Sequence, residues 1–310
     1  MKSPIRYARS LSDLVKAVRS MAQNVEMLQR QVGHLEQQMR FPTAPRRLRD
    51  HEFKVHSQWG EDGIIQYLVR NVEIPNPVFV EFGVTRYTEC NTRYLLHNDN
   101  WRGLVMDGNA EGIAYIQADR PYLYYGLDAV CAFIDRDNIN DLISGNGIKG
   151  DIGLLSVDID GNDYWVWQAI DCISPRIVVA EYNSTFGWRD AVSIPYDPSF
   201  TRVDAHYSRL YYGASIAALE HLGREKGYTL VGGNSAGNNV FFVRDDVLGG
   251  VPPASVEESY APSRFRESFS PEGVRTFLPF ERRQEVMASM PLVDVVTGRP
   301  TTVGALDLSE

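Results

Sequence analysis

PVFVEFGVTRYTECNT (residues 77–92) begins as an unbroken apolar run and turns polar at Glu81 and Gly83. A continuous apolar run of this length, bounded by a glycine, reads as a buried strand, Val78 to Phe82, of a parallel sheet covered on both faces. Outward from it, strands and helices alternate. A helix is predicted from Ser57 in SQWGEDGIIQYLVRNV, and a short one around Asn91 to His97. A strand follows at Gly103 to Met106 in WRGLVMDGN, then an apolar segment near Leu127 to Ile134. Further strands are predicted at Ile152 to Val157 and at Ile177 to Ala180, with a helix at Tyr164 to Ile170 between them. From Tyr228, YTLVGGNSAGNNVFFVRDD reads as two strands around a Gly/Asn/Ser-rich turn, a hairpin that closes the sheet with an antiparallel strand. The expectation is a Rossmann-like α/β domain over residues 51–250, with five parallel strands and a terminal hairpin.

The flanks differ from this core. From Leu11 to Met39, apolar residues recur at Leu11, Leu14, Val18, Met21, Val25, Leu28, Val32, Leu35 and Met39. Alternating three- and four-residue steps make a heptad seam, and valine at one seam position with leucine or methionine at the other favours a parallel two-stranded coiled coil. Residues 1–40 are therefore expected to self-associate through residues 11–39, although Gly33 weakens the helix locally. Residues 41–50, FPTAPRRLRD, carry two prolines and read as a linker. Residues 251–310, rich in Pro, Ser and charge, read as an extension that wraps the domain, with a possible helix at Glu281 to Met290.

Composition narrows the class. At 310 residues, 44% hydrophobic and 23% charged, the chain is ordinary for a soluble domain with appendages. No apolar run approaches the roughly 18 residues of a membrane span, and charges interrupt the first 18 residues where an export signal would need an apolar stretch. Three scattered cysteines without a CxxC pair suit free thiols, so a cytoplasmic location is expected. A net charge of -9 argues against a nucleic-acid partner held by phosphate contacts.

Ligands in open parallel sheets bind outside the carboxyl ends of the strands. The first strand ends Glu81-Phe82-Gly83, and a glycine there lets backbone approach a ligand. The following residues lack the GxGxxG spacing of a pyrophosphate site, which favours a ligand without a diphosphate. The second strand ends in Asp107, whose carboxylate can accept two hydrogen bonds from ribose hydroxyls. Together these features indicate a nucleoside site. Past the fourth strand lies Asp158-Ile159-Asp160-Gly161-Asn162-Asp163, and past the fifth lie Glu181 and Asn183. Carboxylate and amide oxygens at adjoining strand ends suit a hard divalent cation such as Mg²⁺, with Asp158, Asp160, Glu181 and Asn183 as candidate ligands. Asp163 reads either as a helix cap or, with His206 in RVDAHYSRLYYGAS, as a candidate general base. Trp188, Tyr207, Tyr211 and Tyr212 are either a sugar platform or core.

Three blocks, FVEFGVTRYTECNT, LLSVDIDGNDYWVW and PRIVVAEYN, preceded by SQWGED, resemble those of class I S-adenosylmethionine-dependent methyltransferases of the FkbM-like group. The resemblance spans about residues 53–245. It implies that S-adenosylmethionine is the cofactor, that Glu81 and Gly83 contact its methionine end and that Asp107 holds its ribose. Asp135, after the third strand, would face the adenine or cap a helix. Arg86 and Tyr87 stand where the family has a second glycine. The likeness to metal-dependent small-molecule O-methyltransferases, which carry acids at the same two strand ends, implies a metal as well. The expected reaction is O-methylation of a sugar, glycan or glycosylated small molecule. Two alternatives remain at this level: a glycosyltransferase using Asp158-Ile159-Asp160 as a DxD motif, and a non-catalytic coiled-coil assembly protein.

Overall fold

The structure is a computed structural model that describes residues 4–40 and 47–307. The chain divides into two compact units, Met1–Ala44 and Pro45–Glu310. In the first, Pro4–Arg40 is one continuous helix. Of the heptad seam, Leu14, Val18, Met21, Val25, Leu28, Val32, Leu35 and Met39 are all exposed, at 55% to 78%. The Leu11 side chain lies outside the described residues, as do residues 41–46 of the expected linker.

In the second unit, strands β1 (Val78–Phe82), β2 (Arg102–Asp107), β3 (Leu127–Cys131), β4 (Gly150–Val157) and β5 (Ile173–Glu181) follow in order. After the two-residue β6 (Val192–Ser193) come β7 (Tyr228–Gly233) and β8 (Asn239–Arg244), then β9 (Pro291–Asp294) and β10 (Pro300–Thr302). The main sheet runs β3-β2-β1-β4-β5-β8-β7. The first five strands pair in parallel, and β8 lies antiparallel between β5 and β7. This is the Rossmann-like arrangement expected from the sequence, with the hairpin as its closing element.

All five residues of β1 are buried, as a central strand covered on both sides requires. Because side chains alternate, Val78, Val80 and Phe82 join one core and Phe79 the other. The first core receives Val166 and Trp167 of helix Asp163–Ala169 and Leu219 and Leu222 of helix Ile216–Glu225. The second receives Ile64, Ile65 and Leu68 of helix Glu61–Asn71 and Ile113 and Ile116 of helix Ala110–Ala118. The first of these helices starts at Glu61, not Ser57, because the SQWGED block folds as a hydrogen-bonded knot. Asp62 Oδ2 accepts backbone N–H groups of Val55, His56 and Ser57 at 2.6–2.8 Å. Glu61 reaches the β7–β8 turn through Asn234 and Asn239.

Two segments outside the predicted domain limits are part of the same compact unit. Leu48–His51 is a 3-10 helix with Leu48 buried, and the extension contributes β9 and β10 to a small sheet with β6. Phe186, Val192, Leu210, Met287, Leu292 and Val303 form a third core beneath that sheet.

Two glycines fix how closely the turns meet. Gly83 has φ +71°, and a Cβ there would stand 1.8 Å from the Asp158 carbonyl oxygen; at Gly112 it would stand 2.1 Å from that of Thr85. Gly145, at the end of helix Ile139–Gly145, has open space around it. Gly83→Ala is therefore expected to cost about 3 kcal/mol in urea unfolding, while Gly145→Ala is neutral or stabilising by a few tenths. Equal midpoints for the two variants would contradict the packing of the β1 turn against β4.

Candidate functional site

The strand order reverses between β1 and β4, which is where a crevice opens in a sheet of this kind. A cavity of about 300 Å³ lies there, lined by Gly83 and Thr85 after β1, Asp107 at the end of β2, Phe133 after β3 and Asp158 and Asn162 after β4. Gly83 and Asp107, from the expected nucleoside set, thus share a cavity with Asp158 and Asp160 of the expected metal set.

Asp107 is held in place by the turns beside it. Its Oδ2 accepts the Thr85 N–H and its Oδ1 the Asn109 N–H, both at 2.7 Å. Thr85 and Tyr87 adopt φ of 48° and 56°. These are left-handed values in the stretch where the second glycine is missing, and a β-branched or bulky residue holds them only under constraint. Here the buried Tyr87 is fixed by a 2.9 Å bond between its hydroxyl and Thr92 Oγ1. Glu81 does not line the cavity wall. One carboxylate oxygen accepts the Asn91 N–H at 2.8 Å, and the other accepts the N–H and hydroxyl of Thr92. Burial pushes its carboxyl up to about 7 despite these bonds. Asp135 is likewise a local cap, accepting the N–H groups of Asp137 and Asn138 at 2.8 Å.

The candidate metal and base residues beyond β4 and β5 separate into two groups. Asp158, Asp163 and Glu181 converge, with one oxygen of each within 4.8 Å of the others. Asp160 and Asn183 stand outside this trio. Asp160, at φ 53°, turns its carboxylate to Arg202. Asn183 donates to the carbonyls of Leu210 and Tyr212 at 2.8 and 3.0 Å, while its Oδ1 caps the turn at Thr185. Of the DxD pair, Asp158 thus joins the trio while Asp160 pairs with Arg202, although both line the cavity.

Within the trio, Asp163 Oδ1 and Oδ2 accept the N–H groups of Ile159 and Gly161 at 2.7 and 2.9 Å, so it shapes the loop as well as contributing charge. Burial raises it to about 6. Asp158 and Glu181 are both held well above the usual carboxylate range, first by burial and then by the neighbouring acids. Glu181 Oε2 is buried and has no hydrogen-bond donor among the described residues, as is Asn162 Oδ1 on the cavity wall. A buried oxygen without a partner is costly, and a cation or a ligand donor would satisfy it.

Arg202 and Phe133 escaped the sequence reading. Arg202 stacks 4.1 Å above the Tyr212 ring and donates to the Arg209 carbonyl at 2.7 Å, setting a positive charge beside the acids. Phe133 stands 54% exposed at the cavity. Only its place after β3 could have signalled it. His206 is engaged by Ser208 at 2.7 Å and does not line the cavity; burial lowers its pKa. Tyr211 and Tyr212 are core, whereas Tyr207 is exposed and Trp188 borders a different cavity.

No family model and no curated protein matches the sequence. Among solved structures, the chain is similar to the N-terminal domain of EvdMO1 with SAH bound, at 9% identity and a TM-score of 0.37, covering 59% of this chain and 80% of that one. It is similar to the O-methyltransferase from Bacillus cereus in complex with SAH, at 12% identity and a TM-score of 0.39, covering 63% and 83%. A S-adenosylmethionine-dependent methyltransferase from Clostridium acetobutylicum matches at 11% identity and a TM-score of 0.38, covering 59% and 90%. The architecture described above rests on the strand order and pairing of this chain itself.

The acid trio makes stability depend on pH with a definite sign. Carboxyls raised in the folded state bind protons that the unfolded chain has released, so folding loses stability as pH rises from the ordinary carboxylate range through the raised folded-state values, about 6 for Asp163, at about 1.4 kcal/mol per unit of upward shift. In EDTA, the melting temperature is therefore expected to fall as pH rises from about 4 through about 6, and Glu181→Gln to reduce that fall. A Glu181→Gln profile parallel to wild type would show that the trio is not coupled as described.

Proposed function

We propose that the domain is an S-adenosylmethionine-dependent O-methyltransferase of the FkbM-like group, assisted by a divalent cation and acting on a sugar, glycan or glycosylated small molecule. The observation that carries this reading is the cavity in which a strand-end Asp107 suited to ribose faces Asp158, whose carboxylate also converges with Asp163 and with Glu181, the bearer of a buried oxygen without a partner.

S-adenosylmethionine would supply an electrophilic sulfonium methyl. Asp107 would accept both ribose hydroxyls, the exposed Phe133 would cover one face of the adenine, and Gly83 would let the backbone come close to the methionine end. Glu81 would act at one remove, by fixing the turn at residues 91–92 through its buried carboxylate. Asn162 Oδ1 offers a further acceptor on the same wall.

The donor set fits a hard cation: anionic oxygens from Asp158 and Glu181, one of them buried without a partner. When bound, the cation would polarise an acceptor hydroxyl and orient it toward the methyl donor. Arg202 would limit the excess negative charge from the side of Asp160. Asp163, raised to about 6, is close to the range in which a carboxylate works as a base at neutral pH, and would take the hydroxyl proton. His206 has no part in this arrangement.

The exposed heptad seam supports self-association of residues 11–39 in a coiled coil. Light scattering on a chain beginning at Arg46 is expected to show a smaller particle with unchanged domain circular dichroism; an unchanged mass would remove the coiled coil from the account.

Asp107→Ala is expected to weaken S-adenosylhomocysteine binding by about 2 kcal/mol or more in calorimetry. EDTA and Glu181→Gln are each expected to abolish methyl transfer with that affinity intact, and Asp163→Asn to lower turnover by about 10²- to 10⁴-fold. Wild-type affinity in Asp107→Ala would refute the ribose assignment, and full activity in EDTA would refute the metal.

A further inference from the structure

A second cavity, about 780 Å³, lies between the turn after β5 and the C-terminal extension. It is within the size range of small-molecule sites. Its walls are tied together by hydrogen bonds. The Tyr260 hydroxyl donates to the Ser184 carbonyl at 3.0 Å, and Gln284 Nε2 donates to the Thr185 carbonyl.

The chain as a whole is acidic, yet this cavity is lined by four arginines, Arg189, Arg264, Arg266 and Arg283, against two acids, Glu281 and Asp307. Arg283 is 1% exposed. Its guanidinium donates to Ser263 Oγ and to the carbonyls of Phe265 and Leu278, all uncharged groups. Among the described residues, no carboxylate forms a salt bridge with Arg264, Arg266 or Arg283. A buried guanidinium without a counter-ion is costly, and an anionic ligand would compensate it. Guanidinium forks match phosphate oxygens well, and three of them exceed what a single carboxylate can engage. Trp188, Tyr260 and Phe280 add aromatic surface to the same walls, suited to a ring.

We propose that this cavity binds a nucleoside diphosphate, alone or conjugated to a sugar, with the diphosphate on Arg264, Arg266 and Arg283 and the base against the aromatic walls. The cavity adjoins the turn that follows Glu181 of the acid trio, since Tyr260 and Gln284 on its wall are hydrogen-bonded to the carbonyls of Ser184 and Thr185. Under the methyltransferase reading, on which this step alone rests, the acceptor is a sugar carried on that diphosphate.

The test is calorimetry of the full chain in EDTA with UDP and with uridine as probes. UDP is expected to bind at least tenfold more tightly than uridine. The double variant Arg264→Gln/Arg266→Gln, at two exposed positions, is expected to weaken UDP at least tenfold with S-adenosylhomocysteine affinity unchanged. Asp107→Ala is expected to leave UDP affinity at the wild-type level. Equal binding of UDP and uridine, binding that requires Mg²⁺, or insensitivity to the arginine pair would each overturn the proposal. Loss of S-adenosylhomocysteine binding alone would count against the methyltransferase reading and not against this cavity.

Discussion

The backbone of Gly83 lies so close to the carbonyl of Asp158 that no side chain fits between them. That approach sets the width of the crevice between β1 and β4, the point where the strand order reverses. It also places the turn after β1 against the first residue of the acidic loop, so that Asp107 and Asp158, through which the trio reaches the cavity wall, open onto one space. A left-handed backbone at Thr85 and Tyr87 continues the same tight path where glycine would be the easier choice. The surrounding hydrogen bonds, one donated by the Thr85 N–H to Asp107 and one between the Tyr87 and Thr92 hydroxyls, hold those conformations.

Charge is the second constraint. Asp158, Asp163 and Glu181 are brought together where burial disfavours ionisation, and Arg202 is directed mainly to Asp160 at the edge of the group. Burying like charges raises their pKa values, so the arrangement costs stability at neutral pH unless something positive enters. A site that is destabilising when empty is a common signature of function, because structure alone gives no reason to retain it. Asp163 partly escapes this cost, since its two oxygens also organise the loop through Ile159 and Gly161.

Much of this was legible in the sequence, for identifiable reasons. The central strands announced themselves because a strand covered on both faces must be largely apolar, and VFVEF and LLSV depart from that only at Glu81 and Ser156. Strand-end acids were visible because the topology fixes where polar residues must cluster. What one residue does within a loop was not. Asp160 and Asp158 are two positions apart, yet a left-handed φ at Asp160 sends its carboxylate to an arginine 42 positions away. Asn183 sits at the expected strand end, but the carbonyls of Leu210 and Tyr212 claim its amide. The arginine-lined cavity left no trace, because its walls come from segments about 80 residues apart and only folding joins them.

The central claim is that a nucleoside-bearing ligand occupies the crevice at the β1–β4 reversal. Hydrogen–deuterium exchange with and without S-adenosylhomocysteine reads this most directly, because it reports where the ligand slows backbone opening. The account predicts protection confined to the strand-end turns at residues 83–85, 107–109, 132–134 and 158–162, with the β7–β8 turn and residues 260–284 unchanged. Protection centred on residues 260–284, or no protection at saturating ligand, would contradict it.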